Sequence, residues 1–126
     1  MKIPGPDHPI TIAPTRHRVR VIVAGRTVAD TEHALVLHER NYRPVFYIPR
    51  ADVDMSVLVP SAYKTHCLYK GDAAHFSIHV MDRQTENAAW SYQQPYPAVA
   101  EIAGRIAFYP ARVDSIEELA EPGRAG

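Results

Sequence analysis

The segment Thr65-His66-Cys67-Leu68-Tyr69-Lys70-Gly71 gathers the only cysteine and one of the three lysines of the chain into seven residues. A second short segment, residues 86–92, holds the only tryptophan, Trp90, with Tyr92 close behind it. Residue types this rare and this reactive, concentrated in two strand-like stretches, point to a formed pocket. A nucleophilic Cys67 would need a cation or a helix N-terminus to favour its thiolate. His66 and Lys70 are near in sequence, but in a strand Cys67 and Tyr69 point to one face and His66 and Lys70 to the other. Cys67 is therefore read either as a pocket-lining structural thiol or, in a thiol-dependent enzyme, as the catalytic nucleophile with a histidine as base.

Lys70 followed by Gly71 lets an ammonium and backbone amides approach one anion together, with Asp72 able to orient the ammonium. A solvated turn lysine is the plainer account of the same residues. Neither G-x-x-x-x-G-K-[ST] nor G-x-G-x-x-G is present, so no nucleotide loop is signalled. Trp90 and Tyr92 share a strand face and could form a stacking wall for a flat ligand, or could be core. Seven histidines raise the question of a metal. His75 and His79 lie four residues apart, which in a strand is roughly 13 Å, too far for both to bind one ion at about 2 Å. A site using His66 or His75 with distant carboxylates is the weaker remaining option, and the expectation is no metal and no cofactor. Asp52 and Asp54 are accounted for as acids opening a helical turn. Arg18 and Arg20, on one strand face, form a basic stripe whose simpler role is a solvated surface.

The elements that would position these residues are short. Eleven prolines, spread along 126 residues, break the chain into brief pieces and favour strands over a helical bundle. Residues 1–9 read as an extended, proline-fixed arm. Residues 17–23 alternate cleanly, with Val19, Val21 and Val23 on one face, and Ala24-Gly25-Arg26 reads as a hairpin turn into residues 27–30. Further strands are expected at 34–40, 44–48, 66–70, 74–80, 87–92 and 105–109, with a turn at Gly71-Asp72. In residues 74–80 the pattern places Phe76, Ile78 and Val80 on one face and His75, Ser77 and His79 on the other. Residues 49–54 suggest one helical turn, and residues 97–103 the one credible helix, with Pro97 near its start and Gly104 as its stop. Residues 115–126 read as an acidic, flexible tail beyond a single domain at 10–114.

Composition narrows the classes of function. A chain of this length is one domain, and a hydrophobic fraction of 46% argues against disorder. The formal charge is zero, divided between a basic first part (eight Lys/Arg against four Asp/Glu in residues 1–50) and an acidic remainder (six against ten). That is an ordinary dipolar surface rather than a nucleic-acid footprint. No apolar run approaches the ~18 residues of a membrane span, and residues 1–6 lack a signal-peptide core. The expectation is a cytoplasmic protein with no membrane or nucleic-acid partner. One cysteine excludes an internal disulfide and any zinc site needing two cysteines of the chain.

The motifs Tyr47-Ile48-Pro49-Arg50-Ala51-Asp52-Val53, residues 65–71, and Ala89-Trp90-Ser91-Tyr92 with Pro95 together resemble the family known as domain of unknown function 427. The opening Pro4-Gly5-Pro6-Asp7-His8-Pro9-Ile10 and the late Ile106-Ala107-Phe108-Tyr109-Pro110 fit the same family, and the likeness runs from about residue 4 to 114. The resemblance implies a small, mostly antiparallel fold of the β-tent type, like methionine-R-sulfoxide reductases and zinc-bearing relatives that bind small GTPases. Those zinc-bearing members use two pairs of cysteines, which a lone Cys67 cannot replace. Relatives that carry Cys-Pro before the aromatic-Lys-Gly differ from the Cys67-Leu68 found here. A nucleotidyltransferase label attached to the family finds no triphosphate or two-metal motif in this chain.

Residues and resemblance together predict an all-β to β-rich α+β domain with a concave pocket for a small anionic, partly aromatic ligand, with catalysis an open question. The candidate ligand-binding residues are Lys70, Gly71, Trp90, Tyr92, Tyr47 and Arg50, with Cys67 the catalytic candidate. The alternatives are the thiol-dependent enzyme and a non-catalytic, homodimeric interaction module using exposed strand edges.

Overall fold

The computed structural model describes residues 1–120. Ten strands make up the domain: β1 (Ile10–Pro14), β2 (Arg18–Val23), β3 (Arg26–Thr31), β4 (Leu35–Glu39), β5 (Val45–Tyr47), β6 (Leu58–Cys67), β7 (Gly71–Val80), β8 (Arg83–Ser91), β9 (Ala107–Phe108) and β10 (Ser115–Leu119). They form three small antiparallel sheets, ordered β1-β4-β5, β10-β2-β3 and β6-β7-β8-β9. The predicted strand-rich single domain is therefore what is found. The chain turns in short 3-10 segments at Arg50–Asp52 and Pro97–Ile102, which follow or begin with a proline, and at Met55–Val57, which Asp54 caps. The last is the expected helix near 97–103, started by Pro97, with Val99 and Ile102 buried beneath it.

Local chemistry explains the connections. Ala24 and Gly25 both take positive φ, 50° and 76°, as a two-residue hairpin between β2 and β3 requires. β2 keeps its alternation, and Val19, Val21 and Val23 are fully buried in the main core with Phe76, Ile78, Ile48 and Ile106. Ile48 and Ile106 exchange backbone hydrogen bonds of 2.8 Å, tying the segment after β5 to the approach to β9. A second, smaller core sits between β4–β5, the Pro97–Ile102 segment and the near ends of β7 and β8, with Leu37, Tyr47, Ala73, Tyr92, Val99, Ile102 and Ala107 at its centre.

Between the two cores the central sheet changes the face it buries. Register shifts occur between Pro60 and Lys64 in β6 and between Phe76 and Ile78 in β7. Ala73, His75 and Phe76 are buried on one side of the β7–β8 shift and Ile78 and Val80 on the other, so the buried phase of β7 changes between the neighbours His75 and Phe76. Residues 86–88 of β8 stand across from the single Ser77 of β7, an irregularity that bends and twists the strands locally. Asn87 of β8 stands opposite at φ 49°, its backbone N–H donating to Ser77 Oγ and its side chain accepting from Ser61 Oγ at 2.5 Å. His75 is therefore not on the solvated face that unbroken alternation gives it.

Four expectations need correcting. Residues 66–70 are not one strand: β6 begins at Leu58 and ends at Cys67, and residues 68–70 are a turn. Gly71, expected in the turn, is the first residue of β7 and pairs with Cys67. Residues 10–14 form a strand where none was read, because the alternating Ile10 and Ile12 are diluted by threonine, alanine and proline. Residues 115–119, expected in the flexible tail, form β10 against β2, where Ile116 packs on the main core. The rest of that expectation, residues 121–126, lies outside the described residues.

Gly71 carries a backbone requirement that its surroundings do not. Its φ is +106°, while an added Cβ would meet only ordinary contacts at 3.6–3.7 Å to residues 94–96. Gly71→Ala is expected to cost about 1–3 kcal/mol from conformation alone. Gly5→Ala, with nothing within 4 Å and an ordinary φ, is expected to be near neutral. Equilibrium urea unfolding of the two variants checks the contrast.

Candidate functional site

Leu35, Leu37 and Glu39 occupy alternate positions of β4 and so share a face. That face looks into the second core, and Glu39 is only 9% exposed. A carboxylate in such a place needs partners, and two reach it from distant parts of the chain. Lys70 Nζ donates to Glu39 Oε1, and His8 Nε2 lies 2.6 Å from Oε2. Burial alone would raise the Glu39 pKa. The hydrogen bonds from Lys70 and His8 outweigh it and hold the carboxyl below its ordinary 4.5.

Each partner is itself held in place. The turn at residues 68–70 delivers Lys70, whose carbonyl accepts from Tyr96 N–H at 3.0 Å. His8 comes from the N-terminal arm, which is anchored by Lys2 N–H to the Leu68 carbonyl at 2.7 Å and by Arg40 N–H to the Pro9 carbonyl at 2.9 Å. Its ring stacks on Tyr69 with centroids 3.8 Å apart and meets Tyr42 edge-on at 6.3 Å. Arm, strand and turn thus meet on one carboxylate.

Beside this triad lies a chamber of about 200 Å³, walled by Tyr47, Trp90, Tyr92 and Tyr109 with Glu39 and Lys70, and with Tyr42 and Arg43 at the β4–β5 loop. Trp90 Nε1 points to Tyr47 Oη at 3.4 Å, their rings perpendicular. Tyr109 packs on Trp90 at 4.3 Å between centroids, and its hydroxyl is 3.0 Å from His75 Nε2. Burial raises the pKa of Tyr47, Tyr92 and Tyr109, so these phenols are proton donors, not phenolates, at neutral pH. Burial likewise lowers the pKa of His75, against a smaller opposing effect of the Ala73 backbone, and favours a neutral ring that can accept from Tyr109.

The chamber is richer in free donors than in free acceptors. Both oxygens of Glu39 are engaged. An ammonium has three protons, and among the described residues Lys70 gives one, to Glu39. Arg43 makes no ion pair and Tyr92 Oη no hydrogen bond among the described residues.

Of the residues singled out from sequence, the structure brings Lys70, Trp90, Tyr92 and Tyr47 together on this chamber. Gly71, Arg50 and Cys67 are not among its lining residues. Arg50 donates to the Gly104 carbonyl at 2.7 Å and lies over the Phe76 ring. Cys67 packs half-buried against the second core, and its thiol has no hydrogen-bond partner among the described residues. His66, its neighbour, is turned to Asp72 at 2.6 Å. No group of three or more His, Cys, Asp or Glu residues that could hold a metal occurs among the described residues, and no helix there is long and apolar enough to cross a membrane. Sequence reasoning missed Glu39, His8, Arg43 and Tyr109. Glu39 did leave a signal, an acid at an inward strand position; His8 left none, because its role depends on where the arm folds back.

Residues 11–119 match the family described as Domain of unknown function (DUF427). The match covers most of the chain, and the protein belongs to this family. No curated protein matches the chain.

Removing one member of the Glu39–Lys70 pair leaves a buried charge uncompensated. Glu39→Gln is expected to cost about 3 kcal/mol, and the double variant Glu39→Leu/Lys70→Met to recover most of that loss. The folded carboxyl titrates below its ordinary value, so its contribution is complete above pH 4.5 and is lost as pH falls through the lower folded value. Unfolding free energy measured from pH 7 down to 3 should therefore fall more steeply for the natural protein than for the double variant.

Proposed function

We propose that this member of the DUF427 family binds a small anionic molecule with a flat, partly aromatic body in the chamber beside Glu39 and Lys70. One observation carries the reading: a buried ammonium with protons to spare stands on a cavity where four tyrosines and a tryptophan also form wall. Glu39 anchors Lys70 and supports its charge, while Arg43 leaves the chamber with one cation more than its carboxylate balances. An oxyanion accepts from Lys70 and from the Tyr92 hydroxyl, charge-assisted bonds stronger than neutral ones. The flat body lies against Trp90 and Tyr109, whose rings supply apolar and stacking contact. The volume is below the usual drug-sized range of roughly 300–1,000 Å³, which suits a single-ring metabolite.

The chemistry supported here is binding. Tyr109, paired with a neutral His75, is the residue placed to exchange a proton with a bound molecule should a reaction follow. Cys67 lies behind the wall, without a base.

A thermal-shift panel of aryl carboxylates and aryl phosphates tests the reading. A ligand present at a hundredfold its Kd stabilises by about 2.7 kcal/mol, visible as a rise of several degrees. Tyr92→Phe should weaken that ligand about tenfold or more through the lost hydrogen bond to charge, while Met81→Ser, at the exposed β7–β8 turn, should leave it unchanged. No stabilisation by any member of the panel, or equal binding by Tyr92→Phe, would overturn it.

A further inference from the structure

A second and larger cavity, a trough of about 540 Å³, lies next to the chamber where β5, β9 and β10 meet. Its walls are mainly apolar: Val21, Phe46, Ile48, Phe108, Pro110 and Ile116. Chamber and trough have four lining residues in common, Arg43, Val45, Trp90 and Tyr109. Trp90 therefore serves both, and exposed Arg43, without an ion pair among the described residues, stands at their junction. It is the side chain there that can move at least cost.

We infer that the two cavities form one bipartite site for an anionic amphiphile: an aryl carboxylate whose apolar arm extends into the trough. This rests on the reading of the chamber as an anion site and adds the class of molecule. Direction follows from charge. Among the described residues the charged ones lining the trough are Arg43 and Glu118, and Glu118 already pairs with His17 at 3.0 Å. An anionic head is repelled from the Glu118 side and attracted towards Arg43 and Lys70. The ring then lies at Trp90 and Tyr109, and the arm runs along Phe46 and Ile116. Both of these are half-buried side chains packed on the main core, which gives the trough a fixed apolar floor.

The experiment is a homologous series, benzoate, 4-butylbenzoate and 4-hexylbenzoate, titrated into the full chain by calorimetry. Burying a methylene is worth about 0.8 kcal/mol, so affinity should rise about two- to fourfold with each carbon that enters the trough. Ile116→Glu should flatten the series, and Met81→Ser should not. Should Ile116→Glu fail to fold, methyl NMR of the natural protein replaces it: Ile116 and Val21 must respond to the hexyl compound and not to benzoate. If benzoate binds and the alkylated compounds bind no more tightly, the bipartite site is wrong and the chamber reading stands. If none of the three binds, both are overturned.

Discussion

The buried contact between Lys70 and Glu39 is the constraint around which the remainder of this structure is arranged. Neither group is more than 9% exposed, so each would carry a large desolvation cost alone, and each is tolerable only because the other is there. The carboxylate comes from β4, the ammonium from the turn between β6 and β7, and the second donor, His8, from the N-terminal arm. Three segments that share no sheet are thereby held together. Apolar residues of the same volume could hold them as firmly, and replacing such pairs often stabilises a protein. What an apolar replacement would not provide is a proton-donating group on the wall of a cavity.

The second requirement is that the central sheet change its buried face. Uninterrupted strands of nine or ten residues would bury one face throughout and leave His75 in solvent. The bulges let Phe76, Ile78 and Val80 serve the main core while Ala73 and His75 face inward at the other end. His75 then reaches Tyr109, and Tyr109 closes one side of the aromatic wall. The cavity sits beside the smaller core, between the β1-β4-β5 sheet and the near end of the central sheet, and the phase change supplies one of its walls.

These two features explain what the sequence made legible. Proline spacing and the alternation in residues 17–23 were enough for a strand-rich single domain, because such signals are local. The aromatic wall was legible in part, since Trp90 in β8 and Tyr92 just beyond its end stand two apart whatever the rest of the chain does. The phase of β7 was not, because a bulge leaves no mark beyond the pattern it interrupts. Lys70 was seen as a candidate anion-binding residue, but its partner Glu39 is 31 residues away and could be reached only through the pairing of sheets. The end of the chain misled for a related reason: an acidic composition with one isoleucine and one leucine reads as a tail, yet Ile116 is enough to dock a strand when β2 offers a free edge.

In the proposed site the identity of the donors decides the sign of the ligand. A cage of tyrosines and a tryptophan with a free carboxylate would attract a cation. Here the carboxylate is closed off on both oxygens, by Lys70 and by His8, and the cation near the aromatic rings is the protein's own. The phenols cannot supply negative charge either, since burial keeps them protonated. The charge left uncommitted on the wall is therefore positive, on Lys70 and Arg43, beside hydroxyls that can donate or accept. The proposed preference for an anion therefore depends on His8 as well: without that second donor one Glu39 oxygen would lose its partner, and the preference would weaken.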